Sequence, residues 1–294
     1  MKIVATKSTT VEKLISEKMQ GISKSKIKQW IKFHQISLND ELVTRIDDVI
    51  NAQDILFISF DKPLTLNKIF KPRFEVLFED KHLIVCLKPA GILTASEGGD
   101  ENSSFYKQVQ HYVKENSKGR EQLYVVHRLD REVAGIILFA KTEFVQKTLK
   151  DHWKENTKKY FALVEGVVPR EEGKIESYLY DDPSTLLVRS VEKNDNAKLA
   201  ITHFRVLEKF KDKTLLEVEL ETGRKNQIRV HLSEMGHPII GDRRYGADDR
   251  FERQIRLYSF YLRFKHPVTE KWVELKRELP SFFLHLPAKN ENYK

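Results

Sequence analysis

Two apolar runs bracket a charged word between residues 124 and 140. Tyr124-Val125-Val126 leads in and Ile136-Ile137-Leu138-Phe139-Ala140 leads out; between them stands His127-Arg128-Leu129-Asp130-Arg131-Glu132-Val133-Ala134-Gly135. β-Branched and aromatic runs of this length favour strands, so the chain must build a sheet with a tight polar connection at its edge. Gly135 lets the chain turn back there. Asp130 sits between two arginines, and a nearby opposite charge favours the ionised carboxylate, which can serve as a nucleophile or a base. The plainer reading is an ion pair that only holds the loop.

The rest of the chain from Phe74 onward extends the sheet. Phe74 to Leu77 and Leu83 to Leu87 read as strands around the turn Glu79-Asp80-Lys81, and Lys88-Pro89-Ala90-Gly91 forces a bend from which Lys88 is expected to project. Glu97-Gly98-Gly99-Asp100 reads as a flexible loop, Ser104 to Glu115 as a helix, and Thr142 as the cap of a helix reaching Glu155, with Phe144, Leu149 and Trp153 among its apolar contacts. Tyr160 to Val164, Lys198 to Leu207 and Thr214 to Leu220 are further strands. In the last, Leu216, Val218 and Leu220 alternate with Glu217, Glu219 and Glu221, the pattern of a half-buried antiparallel strand. Arg224 to Met235 reads as a helix with Ile228, Leu232 and Met235 inward. Leu257 to Phe264 and Lys271 to Leu275 form a closing hairpin through His266-Pro267. Many antiparallel strands with scattered helices give an α+β body.

Residues 1–60 have a different grammar. Val11, Leu14 and Ile15 recur at helical spacing, Gly21-Ile22-Ser23 breaks the pattern, and Ser23 or Ser25 can cap a second helix. On that helix Ile27, Trp30, Ile31 and His34 make one stripe, with Lys24, Lys28 and Lys32 on an adjacent flank. Residues 36–43 read as a hairpin around Asn39-Asp40, and Ile55 to Phe60 as a last strand. A lysine row can neutralise phosphates without reading sequence, or can simply be a solvated face. Residues 61–72, with two prolines and little periodicity, read as a linker.

Composition limits the function classes. A net charge of +8 suits a polyanionic partner. The single cysteine, Cys86, excludes an internal disulfide framework and a multi-cysteine zinc site. The amino terminus lacks the apolar core of a signal peptide, and no run is long enough to span a bilayer, so the expectation is a cytoplasmic protein without membrane contact.

Four segments in order carry a resemblance to the RluA-type pseudouridine synthases, which isomerise uridine in RNA. His127-Arg128-Leu129-Asp130 followed by Gly135 resembles their catalytic motif. Leu83 to Gly91 resembles the first motif, Lys159 to Gly166 the segment that carries a tyrosine, and Thr222 to Leu232 with Gly236 to Ile239 and Gly241 to Gly246 the third motif. The resemblance covers roughly residues 74 to 280. It implies the pseudouridine synthase fold: a mixed, mainly antiparallel central sheet with flanking helices and a central cleft, here residues 73–294. The helices and hairpin of residues 1–60 likewise resemble the alpha-L, ribosomal S-four-like RNA-binding module.

The same resemblance implies roles. Asp130 is the catalytic carboxylate, Arg229 the guanidinium that pairs with it, and Tyr160 the ring that lies against the uracil. Ile228 lies below the base and Arg128 enters the space an extruded base vacates. Lys88, Arg224, Asn226 and Gln227 are expected at the substrate, with Lys24, Lys28 and Lys32 on RNA backbone. Alternatives stay open for several of them: a strand-ending turn for Lys88, a phosphate contact for Arg229, a core role for Tyr160, and a phosphate contact or loop ion pair for Arg128. His127 is expected to pack or hydrogen-bond within the loop. Two departures stand out: Val133-Ala134 occupies the usual Thr-Ser, so two hydroxyls that could bond the loop are missing, and Asn226 replaces the commoner histidine. The reaction needs no cofactor or metal. The amino-terminal module favours ribosomal over transfer RNA, and the expected state is a monomer. The competing classes are an RNA-binding assembly factor without catalysis and a metal-dependent phosphoesterase; against the latter, the chain has no His-Glu-x-x-His word and no Gly-rich phosphate loop.

Overall fold

The computed structural model describes residues 1–39, 41–60, 72, 74–96, 104–248 and 254–284. The expected linker (apart from Pro72), the loop Glu97 to Asp100 and the turn residue Asp40 lie outside the described residues. The chain divides into two compact units, Met1–Phe70 and Lys71–Lys294.

In the first unit, β1 (Lys2–Val4) and β2 (Thr9–Thr10) precede two helices, α1 (Val11–Lys18) and α2 (Lys24–Lys32). Strands β3 (Ile36–Leu38), β4 (Glu41–Leu42), β5 (Val49–Ile50) and β6 (Ile55–Ile58) follow. A sheet of order β1-β6-β3-β4 and a small β2-β5 pair enclose a core built on Val11, Leu14, Ile15, Ile27 and Trp30. Thr10 and Ser23 cap the helices, accepting the backbone N–H of Lys13 and Lys26. Lys24, Lys28 and Lys32 are exposed, as the stripe predicts, and Lys24 reaches Glu12 at 2.9 Å. His34 does not continue the apolar stripe: α2 ends at Lys32, and His34 is exposed with a left-handed backbone of φ 54°.

The second unit is one eleven-stranded sheet with helices against it. Its elements are β7 (Val76–Glu79), β8 (Leu83–Lys88), α3 (Phe105–Asn116), β9 (Tyr124–Val125), β10 (Ala134–Ala140), α4 (Glu143–Asp151) and β11 (Thr157–Glu165). Then come β12 (Glu172–Asp182), β13 (Leu187–Val191), β14 (Lys198–Lys209), β15 (Lys213–Leu220), α5 (Gln227–Glu234), β16 (Leu257–Lys265) and β17 (Trp272–Lys276). The strand order is β13-β12-β14-β15-β11-β16-β10-β8-β7, with β17 added on β16 and β9 on β10. Every pairing is antiparallel except β10 with β16. The alternation of β15 behaves as read: Leu216 and Val218 are buried while Glu217 and Glu219 face outward into ion pairs with Lys159.

Three readings need correction. The loop 126–133 is not at an edge of the sheet, because β10 lies between β16 and β8. An unbroken run of buried residues from Gly135 to Ala140 has no solvated face to offer, and such strands belong inside sheets. Phe144 is 67% exposed, since α4 turns Val145 and Leu149 inward instead. Strands β12 and β13 were not anticipated; β12 carries Tyr178 and Tyr180 on the same face as most of its charged residues, and its opposite face offers only Ile175 and Leu179 as large apolar residues.

Candidate active site

Loop 126–133 hangs between β9 and β10, and polar groups from residues 88–94 fix its backbone. The Thr94 hydroxyl accepts the Leu129 N–H at 3.0 Å and donates to the Leu129 carbonyl at 2.7 Å. Gly91 N–H reaches the Arg131 carbonyl at 2.8 Å, and Arg131 Nε returns to the Gly91 carbonyl at 3.1 Å. His127 Nε2 accepts the Leu138 N–H at 3.0 Å while its ring stacks on Trp153, centroids 4.6 Å apart. Burial brings that imidazole down to about 3, so it is neutral at physiological pH and packs as expected. Thr94, which has no distinguishing sequence signal, thus supplies hydroxyl bonding to a loop in which Val133-Ala134 has none. Gly135 is obligatory at the loop's exit. It has φ +131°, and a Cβ there would overlap the Ser259 carbonyl of β16.

Lys88 does not project from its bend. It is fully buried, and its Nζ donates to the carbonyls of Pro89 (2.9 Å), Ile92 (2.8 Å) and Arg131 (3.3 Å). Burial brings the amine down to about 8, against the pull of Asp130 and Glu132. Those carbonyls belong to the bend itself and to the 126–133 loop, so the buried ammonium ties the two together. Gln227 is likewise corrected. It is 2% exposed, and its amide is spent inside the fold: Oε1 accepts from Thr222 and from the Arg224 N–H, and Nε2 donates to the Ile201 carbonyl and to Thr202.

Asp130 and Arg229 do meet, across 99 positions of sequence. The geometry differs from a simple pair. Arg229 is 4% exposed, and its guanidinium grips Asp242 with two bonds of 2.7 Å, Nε to Oδ2 and Nη2 to Oδ1. The remaining nitrogen, Nη1, extends to Asp130 at 3.4 Å and to Glu132 at 3.5 Å. A bidentate fork on a buried carboxylate fixes the guanidinium plane and leaves one edge to address a second acid. Burial alone would discourage the Arg229 charge, but Asp242 first, then Asp130 and Glu132, raise its pKa above the ordinary arginine value.

The Asp130 side chain keeps 28% of its surface open. Its pKa is raised: desolvation dominates, Arg229 opposes it, and Glu132 and Asp242 add to it. Neither flanking arginine is its partner, contrary to the sequence expectation. Arg131 is turned to Gly91, and Arg128 is exposed on the loop. Tyr160 is buried on β11 opposite Ser259 of β16. Burial, together with the Asp130 charge, pushes the Tyr160 phenol well above its usual range, so it stays protonated.

Helix α5 lies on the same face of the sheet as Tyr160, anchored through Thr202 by Gln227 and His231. It buries Ile228 and carries Arg229 one position on. Asn226 stands at its start, next to both Asp130 and Tyr245. Arg224 is exposed, with Nε on the Leu199 carbonyl at 3.0 Å. Asp242 and Tyr245 were not assigned roles from sequence, although both lie inside the third motif. A concavity of about 480 Å³ lined by Glu172, Lys174, His203, Arg205, Glu217 and Glu219 is on the other face, away from Asp130, and its charges are largely paired with one another or with Lys159 and Glu176. Among the described residues no cluster of His, Cys, Asp or Glu is arranged to hold a metal ion, and no helix is long and apolar enough to cross a membrane.

The comparisons with known proteins agree with one another. Residues 82–234 match the family model described as RNA pseudouridylate synthase. The chain is 30% identical over 294 residues to the uncharacterized RNA pseudouridine synthase YhcT of Bacillus subtilis, covering 94% of this chain and 95% of that one. It is 30% identical to the ribosomal large subunit pseudouridine synthase D of Neisseria meningitidis serogroup B, covering 94% of this chain and 77% of that one. Among solved structures, human RNA pseudouridylate synthase domain containing 4 superposes with a TM-score of 0.60 at 24% identity, over 74% of this chain and 95% of that one. The fold of the second unit is therefore that of pseudouridine synthase domains.

Proposed function

The chain belongs to the RNA pseudouridylate synthase family, and from that membership we propose that it isomerises uridines of large-subunit ribosomal RNA with Asp130 as the reacting carboxylate. The reaction breaks the bond between N1 and C1′, turns the uracil, and joins C5 to C1′. The hydrogen lost from C5 is balanced by the one gained at N1, so neither an oxidant nor water is consumed. A carboxylate can drive it by attacking C1′, by adding to the ring, or by taking a ribose proton.

The observation that carries the assignment is the bridge from Asp242 through Arg229 to Asp130. It offers one partly open carboxylate, opposed by desolvation and steadied by a guanidinium that cannot swing away. Tyr160 serves as platform for the flipped base, its protonated phenol able to donate. Ile228 closes the apolar floor, and exposed Arg128 fills the stack that the base leaves. Arg224 contacts the RNA backbone. The first unit acts as an RNA-binding module of the S-four-like kind, with Lys24, Lys28 and Lys32 on phosphates. The ribosomal target is supported by relatives in Neisseria meningitidis and Haemophilus influenzae, both named ribosomal large subunit pseudouridine synthase D. Such an enzyme works in the cytoplasm.

The test is pseudouridine mapping on total RNA from cells with and without the gene, complemented by wild type or by Asp130→Asn. Sites that vanish on deletion and return only with wild type establish carboxylate and target together. Return of the sites with Asp130→Asn removes Asp130 from the chemistry, and loss of sites confined to transfer RNA replaces the ribosomal target.

A further inference from the structure

Asp130 has a second neighbour besides Arg229, and its orientation is fixed from behind. The Asn226 side chain lies between Asp130 and Tyr245, one end of the amide 2.8 Å from Asp130 Oδ2 and the other 2.8 Å from the Tyr245 hydroxyl. Which end is which follows from proton counting. An ionised carboxylate only accepts, so the end facing Asp130 must be the NH2 group. The Tyr245 oxygen already takes the backbone N–H of Val188 at 3.1 Å, which leaves its single proton for the Asn226 carbonyl oxygen. The reverse orientation keeps the Tyr245 contact, with Nδ2 donating to the hydroxyl at 2.8 Å, but it strands the phenol proton, sets the amide oxygen against Asp130 and adds only a 3.4 Å contact from Arg229 Nη1.

We propose that Tyr245 is a positioning residue for the isomerisation: its hydroxyl locks the Asn226 amide so that a hydrogen-bond donor always faces Asp130. The inference rests on the reading of Asp130 as the reacting carboxylate. It assigns Asn226 to the carboxylate and not to RNA. The hydroxyl and the ring of Tyr245 do different things. The ring lies under the Arg229 guanidinium, 5.0 Å from its centre, and packs with Leu179, Val188 and Val230. The hydroxyl alone reaches Asn226.

The groups around Asp130 show why one donor matters. Arg229 from α5 and Lys88 from β8 are its cations; Glu132 on its own loop and Asp242 after α5 are acids, and the Tyr160 phenol approaches from β11. The two cations are set against two acids and desolvation. Loss of a donor then tips Asp130 toward its protonated, unreactive form.

The experiment uses Tyr245→Phe, which keeps the ring, and an unmodified RNA transcript carrying a uridine identified by the mapping. The expected result is a kcat about tenfold lower, an unchanged KM, and an acid limb of the kcat profile moved up by about one pH unit. Asn226→Gly, chosen because Asn226 has φ 54° and glycine tolerates it, should behave alike. The double variant should be no slower than Asn226→Gly alone, because Tyr245 acts only through the amide. An acid limb that stays at its wild-type position in Tyr245→Phe, or losses that multiply in the double variant, overturns the proposal. Asp130→Asn in the same assay separates the two readings. Normal turnover there defeats the reading of Asp130 itself; an inactive Asp130→Asn beside a wild-type profile for Tyr245→Phe defeats only the role of Tyr245.

Discussion

Asp130 is held where its charge is costly. A carboxyl whose pKa is higher in the folded than in the unfolded chain favours folding only while protonated. That contribution is complete below the unfolded value and is lost as the pH rises through the folded one. The Asp130 pKa is raised, so at neutral pH the ionised group opposes folding. Asp130→Asn should therefore raise Tm at pH 7, by about 2–4 °C if the gain is about 1 kcal/mol, and the gain should shrink in scans at acid pH. A Tm that falls at pH 7 would mean that the Arg229 contact outweighs desolvation. Asp242 is the opposite case. It is 1% exposed and carries both short bonds of Arg229. Asp242→Asn removes the buried charge partner and one of the two short acceptors, leaving only the long contacts to Asp130 and Glu132 to offset the guanidinium charge, and should cost about 3–5 kcal/mol in urea denaturation.

At the scale of elements, the site is assembled by one close approach and one buried helix. Strands β10 and β16 run parallel over Ala134↔Tyr258 and Gly135↔Ser259, and Gly135 is what lets them touch. Gly135→Ala must push β16 away or unfold the loop exit, and should leave little soluble protein. Gly91→Ala is the control: it too has a positive φ, +87°, but nothing lies within 4 Å of its would-be Cβ. It should cost only the backbone strain, about 1–2 kcal/mol, read by the same urea titration. Helix α5 buries every residue from Gln227 to Leu232, polar ones included. Its hydrogen bonds to Thr202 and Ile201 are what permit a buried Gln and His there.

At the scale of the whole molecule, two units divide the labour proposed for them: one carries the reacting group, the other a basic helix. If the lysines of α2 lie on phosphates, Lys28→Gln with Lys32→Gln should flatten the salt dependence of RNA binding by roughly 0.7–0.9 per lysine. Lys24→Gln should do less, because Lys24 is already paired with Glu12. Binding titrations between 50 mM and 200 mM salt decide it, and an unchanged slope returns these lysines to a solvated face.

Much of this was legible in the sequence because local chemistry reports it. Caps at Ser23 and Thr142, the alternation of β15, and the charged word between two strands each follow from a few adjacent residues. So does the family, since its motifs are short and ordered. Tertiary structure alone decided how the motif residues share their charges. Lys88 and Gln227 look like exposed polar groups until the fold surrounds them with carbonyls and hydroxyls. Arg229 reads as the partner of Asp130, yet its short bonds go to Asp242, thirteen positions on. A side chain's hydrogen-bonding partner depends on which distant backbone brings a matching group within 3 Å after desolvation, and no local pattern encodes that distance.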